Sequence, residues 1–199
     1  MTTQEMITEM LYLQYKFNEQ VNPRWDIQDY NWDAAILAEV GELLDSTNYK
    51  WWKKTEDDIE NIKVEVVDIF HFLMSKWLTK YPKSTVIKYF NEAFTGNIIG
   101  YCIIDSTLEF NKSTTKTTLS CFASMVKASG MDLPELYKRY IIKNCLNKFR
   151  QDHGYKSGTY KKDWNGKEDN IVALGLYKEN MSFDALYNYL KDYYNHHVK

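Results

Sequence analysis

Apolar residues recur along much of the chain at the three- and four-residue spacing of amphipathic helices. Met6, Met10 and Leu13 form one such stripe, which predicts a first helix over residues 3–18. Thr55, which is followed by three acidic residues, suits the N-cap of a later helix. Similar spacing or start signals predict further helices at about 32–47, 58–80, 84–94, 117–128, 134–150 and 182–194.

Structure-breaking residues are scarce, since the 199 residues include only 8 glycines and 3 prolines. No segment alternates convincingly between apolar and polar side chains, and residues 100–104 are the one candidate for a short strand. With 44% hydrophobic residues the chain can bury a substantial core. We therefore expect an all-α helical bundle in a single domain, in which residues 83–130 form a helical cap or a dimerisation insert.

The formal net charge of −2 gives no strong field for nucleic acids or anionic membranes. Cys102, Cys121 and Cys145 form no CxxC pair, and none lies near a histidine at zinc-ligand spacing. The first ten residues lack the basic cluster of a signal peptide, and no apolar run approaches the ~18 residues that span a bilayer. We expect a cytoplasmic protein with no nucleic-acid or membrane partner.

The most informative segment is VEVVDIFHFLM, residues 64–74. Its apolar residues surround the helix axis, which is typical of a buried helix. Yet Glu65, Asp68 and His71 lie within it, each three residues from the next. A buried carboxylate must be paired, hydrogen-bonded or bound to a metal, because an isolated buried charge is very costly.

The preceding helix carries a second acidic pair, Glu39 and Glu42, beside its apolar stripe. If the two helices pack antiparallel, four carboxylates can face one another. Hard divalent cations would balance their charge, and all-oxygen ligation favours Mg²⁺ or Mn²⁺ over zinc. One ExxE pair alone is common on solvated surfaces, whereas two such pairs on neighbouring helices favour a metal site.

Two alternatives to this metal site stay open. The acidic faces could be solvated, and His71 could equally be a hydrogen-bonded histidine of the core. Asp68-x-x-His71 also resembles one element of a di-iron bundle, but such bundles need that element twice. The helix that carries Glu39 and Glu42 has no such histidine, so the di-iron interpretation is weak.

These acidic pairs and their surroundings resemble the motifs of the dimeric, all-α dUTPases, within the superfamily of all-α nucleotide pyrophosphatases. The central motifs are matched by EVGELLDSTNYKWWKK (39–54) and EVVDIFHF (65–72). Gln14-x-x-x-Asn18 is similar to the N-terminal motif, and KNCLNKFRQDHGYKSGTYKKDWNGKEDN (143–170) is similar to the C-terminal phosphate motif. Together these motifs cover most of the chain, apart from about 82–140 and the extreme C-terminus.

The resemblance implies an enzyme that hydrolyses dUTP to dUMP and pyrophosphate and that also cleaves dUDP. It implies that Glu39, Glu42, Glu65 and Asp68 hold two or three Mg²⁺ ions, with Mn²⁺ as a substitute, against the triphosphate. By the same analogy, Glu42 is the general base that takes a proton from the attacking water. A homodimer is expected, since the resemblance is to a dimeric family.

The resemblance also places Gln14 and Asn18 at the uracil. These residues are four apart on one helix, so both amides project from one face and offer the donors and acceptors that the edge of uracil requires. Trp51, Trp52, His71 and Phe72 are expected to wall the base and the deoxyribose. Without the resemblance, the two amides would be interpreted as exposed polar residues and the two tryptophans as core packing.

Cationic and amide side chains of the C-terminal motif are expected to grip the phosphates and to close over the substrate. Interleaved aromatic residues in this region also suggest single-stranded nucleic acid, but the near-neutral net charge and the acidic pairs oppose that interpretation. The expected phosphate-binding residues are Lys53, Lys143, Asn147, Arg150, Tyr155, Lys156, Lys162 and Asn170.

Two competing functions remain after this comparison of motifs. An enzyme of the same superfamily could act on another nucleotide, such as dCTP or a damaged nucleotide, because an amide can turn over to present either a donor or an acceptor. Alternatively, the acidic helices could form the partner-binding surface of a helical interaction module that has no catalytic activity.

Overall fold

The computed structural model describes residues 1–98, 102–113, 116–179 and 181–198. Within these ranges it contains nine α-helices, one 3-10 helix and no β-strand, so the predicted all-α fold is confirmed. None of the described helices is both long and apolar enough to cross a membrane. The α-helices are α1 Thr3–Val21, α2 Trp32–Asp45, α3 Ile59–Lys80, α4 Lys83–Thr95, α5 Ile103–Lys112, α6 Thr117–Ala128, α7 Leu133–Asp152, α8 Asp169–Leu176 and α9 Phe183–His197, and the 3-10 helix is Trp25–Ile27.

Side-chain caps fix where the helices of the predicted site begin. Thr2 and Glu5 form a reciprocal capping box at the start of α1, in which Glu5 N donates to Thr2 Oγ1 over 3.2 Å. The cap of α3 is Asp58, whose carboxylate accepts from Asn61 N over 3.1 Å. The prediction of Thr55 as the N-cap of this helix is therefore wrong, because the backbone becomes helical only after Asp58.

All seven predicted helices are present, and their ends differ from the predicted ones by less than one helical turn. Helices α5 and α8 were not predicted. The candidate strand at 100–104 falls partly on residues outside the described ranges, and Ile103 and Ile104 belong to the first turn of α5.

The described chain divides into two compact units, Met1–Tyr137 and Lys138–Lys199. In the first unit, Phe70 of α3 stacks on Phe122 of α6 at a ring-centroid distance of 5.0 Å. Phe70 also contacts Phe90 of α4, and all three rings are fully buried. Helices from 83–130 thus share the core of α3, while the single domain and the role of 83–130 as a cap or a dimerisation insert stay predictions.

Helices α2 and α3 pack antiparallel in this unit. Near the start of α2, Asp33 forms an ion pair with Lys76 from the later part of α3. Just beyond the end of α2, Ser46 Oγ accepts from Asn61 Nδ2 at the start of α3, over 2.7 Å. Two contacts that join opposite ends of the helices fix both their direction and their register.

The second unit has an aromatic core of its own. Phe149 of α7 packs edge to face on Trp164, at 5.6 Å, and on Tyr194 of α9, at 5.4 Å. Gly154 ends α7 with a φ of 91°, in the left-handed region that favours glycine. A Cβ at this position would lie 2.1 Å from Thr159 Oγ1, so the turn that starts the C-terminal loop requires a glycine.

Candidate active site

Three carboxylates from two helices lie close together in the first unit. Glu39 and Glu42 come from α2 and Glu65 comes from α3, and one oxygen atom of each lies within 4.8 Å of the others. Glu65 is 6% exposed, Glu39 is half-buried and Glu42 is exposed. An all-oxygen donor set with one side open to solvent fits a hard divalent cation, whose charge would offset the repulsion among three carboxylates.

The antiparallel register of α2 and α3 explains this group. It places Glu42 opposite Glu65 and Glu39 opposite Asp68, which lies one turn after Glu65 on the same face of α3. Asp68 is half-buried and is not one of the close group of three. The two acidic pairs therefore come from facing helices, as the sequence analysis expected, and the binding of metal by all four residues stays a prediction.

A buried polar cluster joins α1 to α3. Gln14 Nε2 donates to Asn18 Oδ1 and to Ser75 Oγ, each over 3.0 Å, and Asn18 Nδ2 donates to Ser75 Oγ over 2.9 Å. Gln14 Oε1 lies 2.6 Å from His71 Nδ1. All four side chains are buried, so the alternative interpretation of the two amides as exposed polar residues is wrong.

The two neighbouring tryptophans of the α2–α3 loop lie on the surface. Trp51 is 90% exposed and Trp52 is 60% exposed, and their rings contact each other edge to face at 5.6 Å. The alternative interpretation of core packing is therefore wrong for both. The proposed role of Trp51 as a wall of the base pocket stays a prediction.

The same loop is closed at its base by two hydrogen bonds that backbone N–H groups donate. Asp58 N donates to Ser46 O over 2.8 Å, and Asn48 N donates to Asp57 Oδ1 over 2.7 Å. Because its two ends are joined in this way, the loop is anchored at its base. The tip carries the exposed side chain of Lys53, one of the predicted phosphate-binding residues.

A different tryptophan packs against the predicted pocket residue Phe72. The ring of Trp32, at the start of α2, lies 6.3 Å from that of Phe72. Trp32 in turn contacts Trp25, which is 2% exposed and packs edge to face on Tyr15 of α1. This aromatic row links α1, the 3-10 helix, α2 and α3.

In the second unit, Arg150 forms a buried ion pair with Asp169. Arg150 Nε donates to Asp169 Oδ2 over 2.9 Å, and an Nη donates to Asp169 Oδ1 over 2.7 Å. The Tyr160 hydroxyl adds a third hydrogen bond to the same carboxylate, over 2.8 Å. Burial opposes the charge of Arg150, but the hydrogen bond and charge of Asp169 outweigh it and raise the pKa of the guanidinium.

Most of the other predicted phosphate-binding residues surround this pair. Asn147 Oδ1 accepts from Arg150 over 3.3 Å, and Asn170 Oδ1 accepts from Lys143 Nζ over 3.2 Å and from Arg150 over 3.5 Å. The Tyr155 ring lies 5.8 Å from the guanidinium carbon of Arg150. Lys162 Nζ approaches the same Tyr155 ring at 5.6 Å, and Lys156 is exposed on the loop beside it.

Sequence reasoning missed two of the central polar residues. Ser75 lies four residues after His71, so its position on the same helical face was a signal that could have found it. Asp169 is part of the C-terminal motif, but nothing in its local sequence indicates that Arg150, nineteen residues earlier, is its partner. Both residues take their importance from tertiary contacts.

The arrangement defines a class of protein before any comparison is made. Carboxylates from two antiparallel helices suit a divalent cation, and the buried amides of the same unit suit a small polar ligand. An all-α enzyme that hydrolyses nucleotide phosphoanhydrides combines these two features. The first unit therefore fits the class that the sequence motifs resemble, the all-α nucleotide pyrophosphatases.

Comparison with protein families gives the particular group. The chain matches the dUTPase family over residues 6–155, which include the carboxylates, the amides and α7, and it belongs to that family. No curated protein matches the chain. Its activity is accordingly the hydrolysis of dUTP to dUMP, and the matched range ends before Lys156, Lys162 and Asn170.

Proposed function

We propose that this hydrolysis depends on Mg²⁺, or on Mn²⁺ in its place, and that dUTP yields dUMP and pyrophosphate while dUDP is also cleaved. The observation that carries the metal requirement is the close group of Glu39, Glu42 and Glu65. Two or three ions would be held by these residues and Asp68. When bound, such ions neutralise phosphate oxygens and make a nearby water easier to deprotonate.

Within this set, Glu42 is proposed, by analogy with the family, to take the proton of the attacking water. It is the exposed member of the group, whereas Glu65 is buried and Glu39 is half-buried. A general base must reach solvent water directly and must also lie within hydrogen-bonding distance of the reacting atoms. The buried Glu65 is better suited to holding a fixed position.

The base is proposed to bind at the cluster of Gln14, Asn18 and His71, with Phe72 beside the deoxyribose. Amide groups supply both donors and acceptors for the edge of uracil. Each Asn18 amide hydrogen is a possible donor, and only one of the two is used in the cluster. Trp51 is proposed to close on the base from the exposed tip of its loop.

The cationic and amide side chains of the C-terminal motif are proposed to bind phosphate groups, and Lys53 of the α2–α3 loop is proposed as a further phosphate-binding residue. Lys143 supplies positive charge, and Arg150, whose charge Asp169 balances, supplies N–H donors. Asn147 and Asn170 supply neutral donors once their amides turn toward a ligand. Tyr155, Lys156 and Lys162 would complete this set from the loop.

We infer a homodimer from the family, and the surface of α2 supports it. Ala34, Leu37, Ala38 and Gly41 are exposed on this helix, and a methyl group at Gly41 would meet nothing within 4 Å in the described chain. Packing within the chain therefore does not require a glycine there. The three unpaired cysteines support a cytoplasmic location.

The test is an assay of pyrophosphate and phosphate release from dUTP, dUDP, dCTP and UTP, with and without Mg²⁺. Glu65→Gln should abolish the activity, whereas Glu109→Gln, which alters an exposed carboxylate of α5, should not change it. Full activity in a chelator would show that the metal requirement is wrong. A preference for dCTP would favour the alternative enzyme of the same superfamily, and no activity at all would favour the interaction module.

A further inference from the structure

Ser75 is the central residue of the buried cluster between α1 and α3. Its side chain is fully buried, and its hydroxyl donates to the carbonyl oxygen of His71, one turn earlier, over 2.9 Å. A hydroxyl has only one hydrogen to donate. Toward every other neighbour, Ser75 Oγ can therefore act only as an acceptor.

This restriction fixes the direction of two amides. Gln14 and Asn18 both place their NH₂ groups on Ser75 Oγ, at 3.0 and 2.9 Å. Reversal of either amide would direct a carbonyl oxygen at an oxygen that has no hydrogen left to give. The two carbonyl oxygens therefore point away from Ser75.

The direction of Gln14 in turn fixes the tautomer of His71. Gln14 Oε1 lies 2.6 Å from His71 Nδ1, and an amide oxygen can only accept. Nδ1 must therefore carry the hydrogen, and the neutral ring has its lone pair on Nε2. One hydroxyl thus determines the donor and acceptor pattern of three side chains.

We propose that Ser75 is a specificity-determining positioning residue, whose hydroxyl holds the amides of Gln14 and Asn18 in the orientation that accepts uracil and rejects cytosine. This inference rests on the proposed role of those amides in binding the base. Ser75 itself does not contact the base, since it is enclosed by the residues that it positions.

The chemistry of the two bases gives the reason. Uracil donates from N3 and accepts at O4, whereas cytosine accepts at N3 and donates from its 4-amino group. Asn18 retains one Nδ2 hydrogen and one lone pair on Oδ1 beyond the bonds within the cluster. This amide can donate to O4 of uracil and accept from its N3–H. To bind cytosine in the same pose the amide would have to turn over, and Ser75 prevents that reversal.

Removing the hydroxyl allows the reversal. In Ser75→Ala, Gln14 and Asn18 can turn over together and still bond to each other, with Gln14 Nε2 then donating to His71 Nδ1. The ratio of kcat/KM for dUTP to that for dCTP should fall on the order of tenfold, the factor that one lost hydrogen bond carries. The thermal stabilisation by Mg²⁺ should be unchanged.

The matched control is Ser124→Ala. Ser124 is also a buried serine in a helix, and its hydroxyl donates to the carbonyl oxygen of Ser120, four residues earlier, over 3.1 Å. This control loses the same intrahelical hydrogen bond without touching the amides, and it should leave the ratio unchanged. Ser75→Cys, which has a weaker acceptor of similar volume, provides a second variant if the alanine does not fold.

A second readout needs no activity. Nitrogen-15 NMR of the imidazole should show His71 as the Nδ1–H tautomer in the unaltered protein and as a mixture of tautomers in Ser75→Ala. An unchanged tautomer together with an unchanged base ratio would overturn the inference. If Asn18→Ala also leaves the ratio unchanged, the proposed base site fails; if Asn18→Ala lowers the ratio and Ser75→Ala does not, only the role of Ser75 fails.

Discussion

The buried pair of Arg150 and Asp169 should dominate the stability of the second unit. Asp169 is fully buried and Arg150 is 7% exposed, and two hydrogen bonds join them. Asp169→Ala would leave a guanidinium charge buried without its counter-charge. Removal of one member of such a pair costs about 3–5 kcal/mol, because the remaining charge keeps its desolvation penalty.

This cost is large relative to the whole free energy of unfolding, which is about 5–15 kcal/mol for a globular protein. For a chain of this length, each kcal/mol lowers the thermal midpoint by about 2–4 °C. Asp169→Ala should therefore lower the midpoint by roughly 10 °C. Tyr160→Phe removes only a hydroxyl that donates to Asp169, and it should cost about 1.5 kcal/mol.

The measurement is urea and thermal unfolding followed by circular dichroism, with hydrogen exchange of α7 and α8 to locate the loss. The double variant Arg150→Met with Asp169→Leu should be more stable than Asp169→Ala, because it leaves neither charge buried. If Asp169→Ala costs no more than Tyr160→Phe, Arg150 must already be well solvated. The argument from a buried, uncompensated charge would then be refuted.

Four further experiments have defined expectations. Glu65→Gln should remove most of the Mg²⁺-induced rise in melting temperature, measured by calorimetry, and an undiminished rise would contradict the metal site. Burial raises the pKa of the Cys145 thiol to about 12 from 9, so the thiol of the unfolded state loses its proton at a lower pH than that of the folded state. The free energy of unfolding should therefore fall between about pH 9 and 12. Cys145→Ala should make this fall shallower, as measured by urea unfolding at about pH 8 and 10. Iodoacetamide should label the exposed Cys102 well before Cys145 in the folded protein, as read by mass spectrometry. Gly154→Ala should destabilise the protein by more than about 1 kcal/mol, since its φ is positive and Thr159 occupies the space, and an unchanged urea midpoint would contradict this.

The long helices could be predicted from sequence because each repeats its apolar stripe over several turns. Helix α6 was predicted with both ends correct, and α3 with its first residue one position too early. Helix α5 is short, and its apolar stripe covers few turns. Helix α8 begins at Asp169, inside a segment rich in glycine and lysine, so its first turn was assigned to the loop.

The acidic pairs were predictable for a different reason, since carboxylates at i and i+3 lie on one helical face whatever the surroundings. What sequence could not provide was the side of the molecule on which Trp51 lies. Two adjacent tryptophans in a loop are equally compatible with a place in the core and with a place on a binding surface. The exposure of both tryptophans in the folded chain shows that the loop tip lies outside the core, and the hydrogen bonds at its base close the loop.

The cluster around Ser75 and the pair of Arg150 and Asp169 also share a physical character that sequence patterns do not express. Both clusters are buried. The Ser75 hydroxyl at the centre of one and the Asp169 carboxylate at the centre of the other use most of their hydrogen-bonding capacity within the protein. Because reorientation would leave polar groups unpaired in a low-dielectric interior, such clusters keep their geometry before a ligand arrives. The amides of Gln14 and Asn18 thus have a fixed direction without nucleotide, which is the property that their proposed role in selecting the base requires.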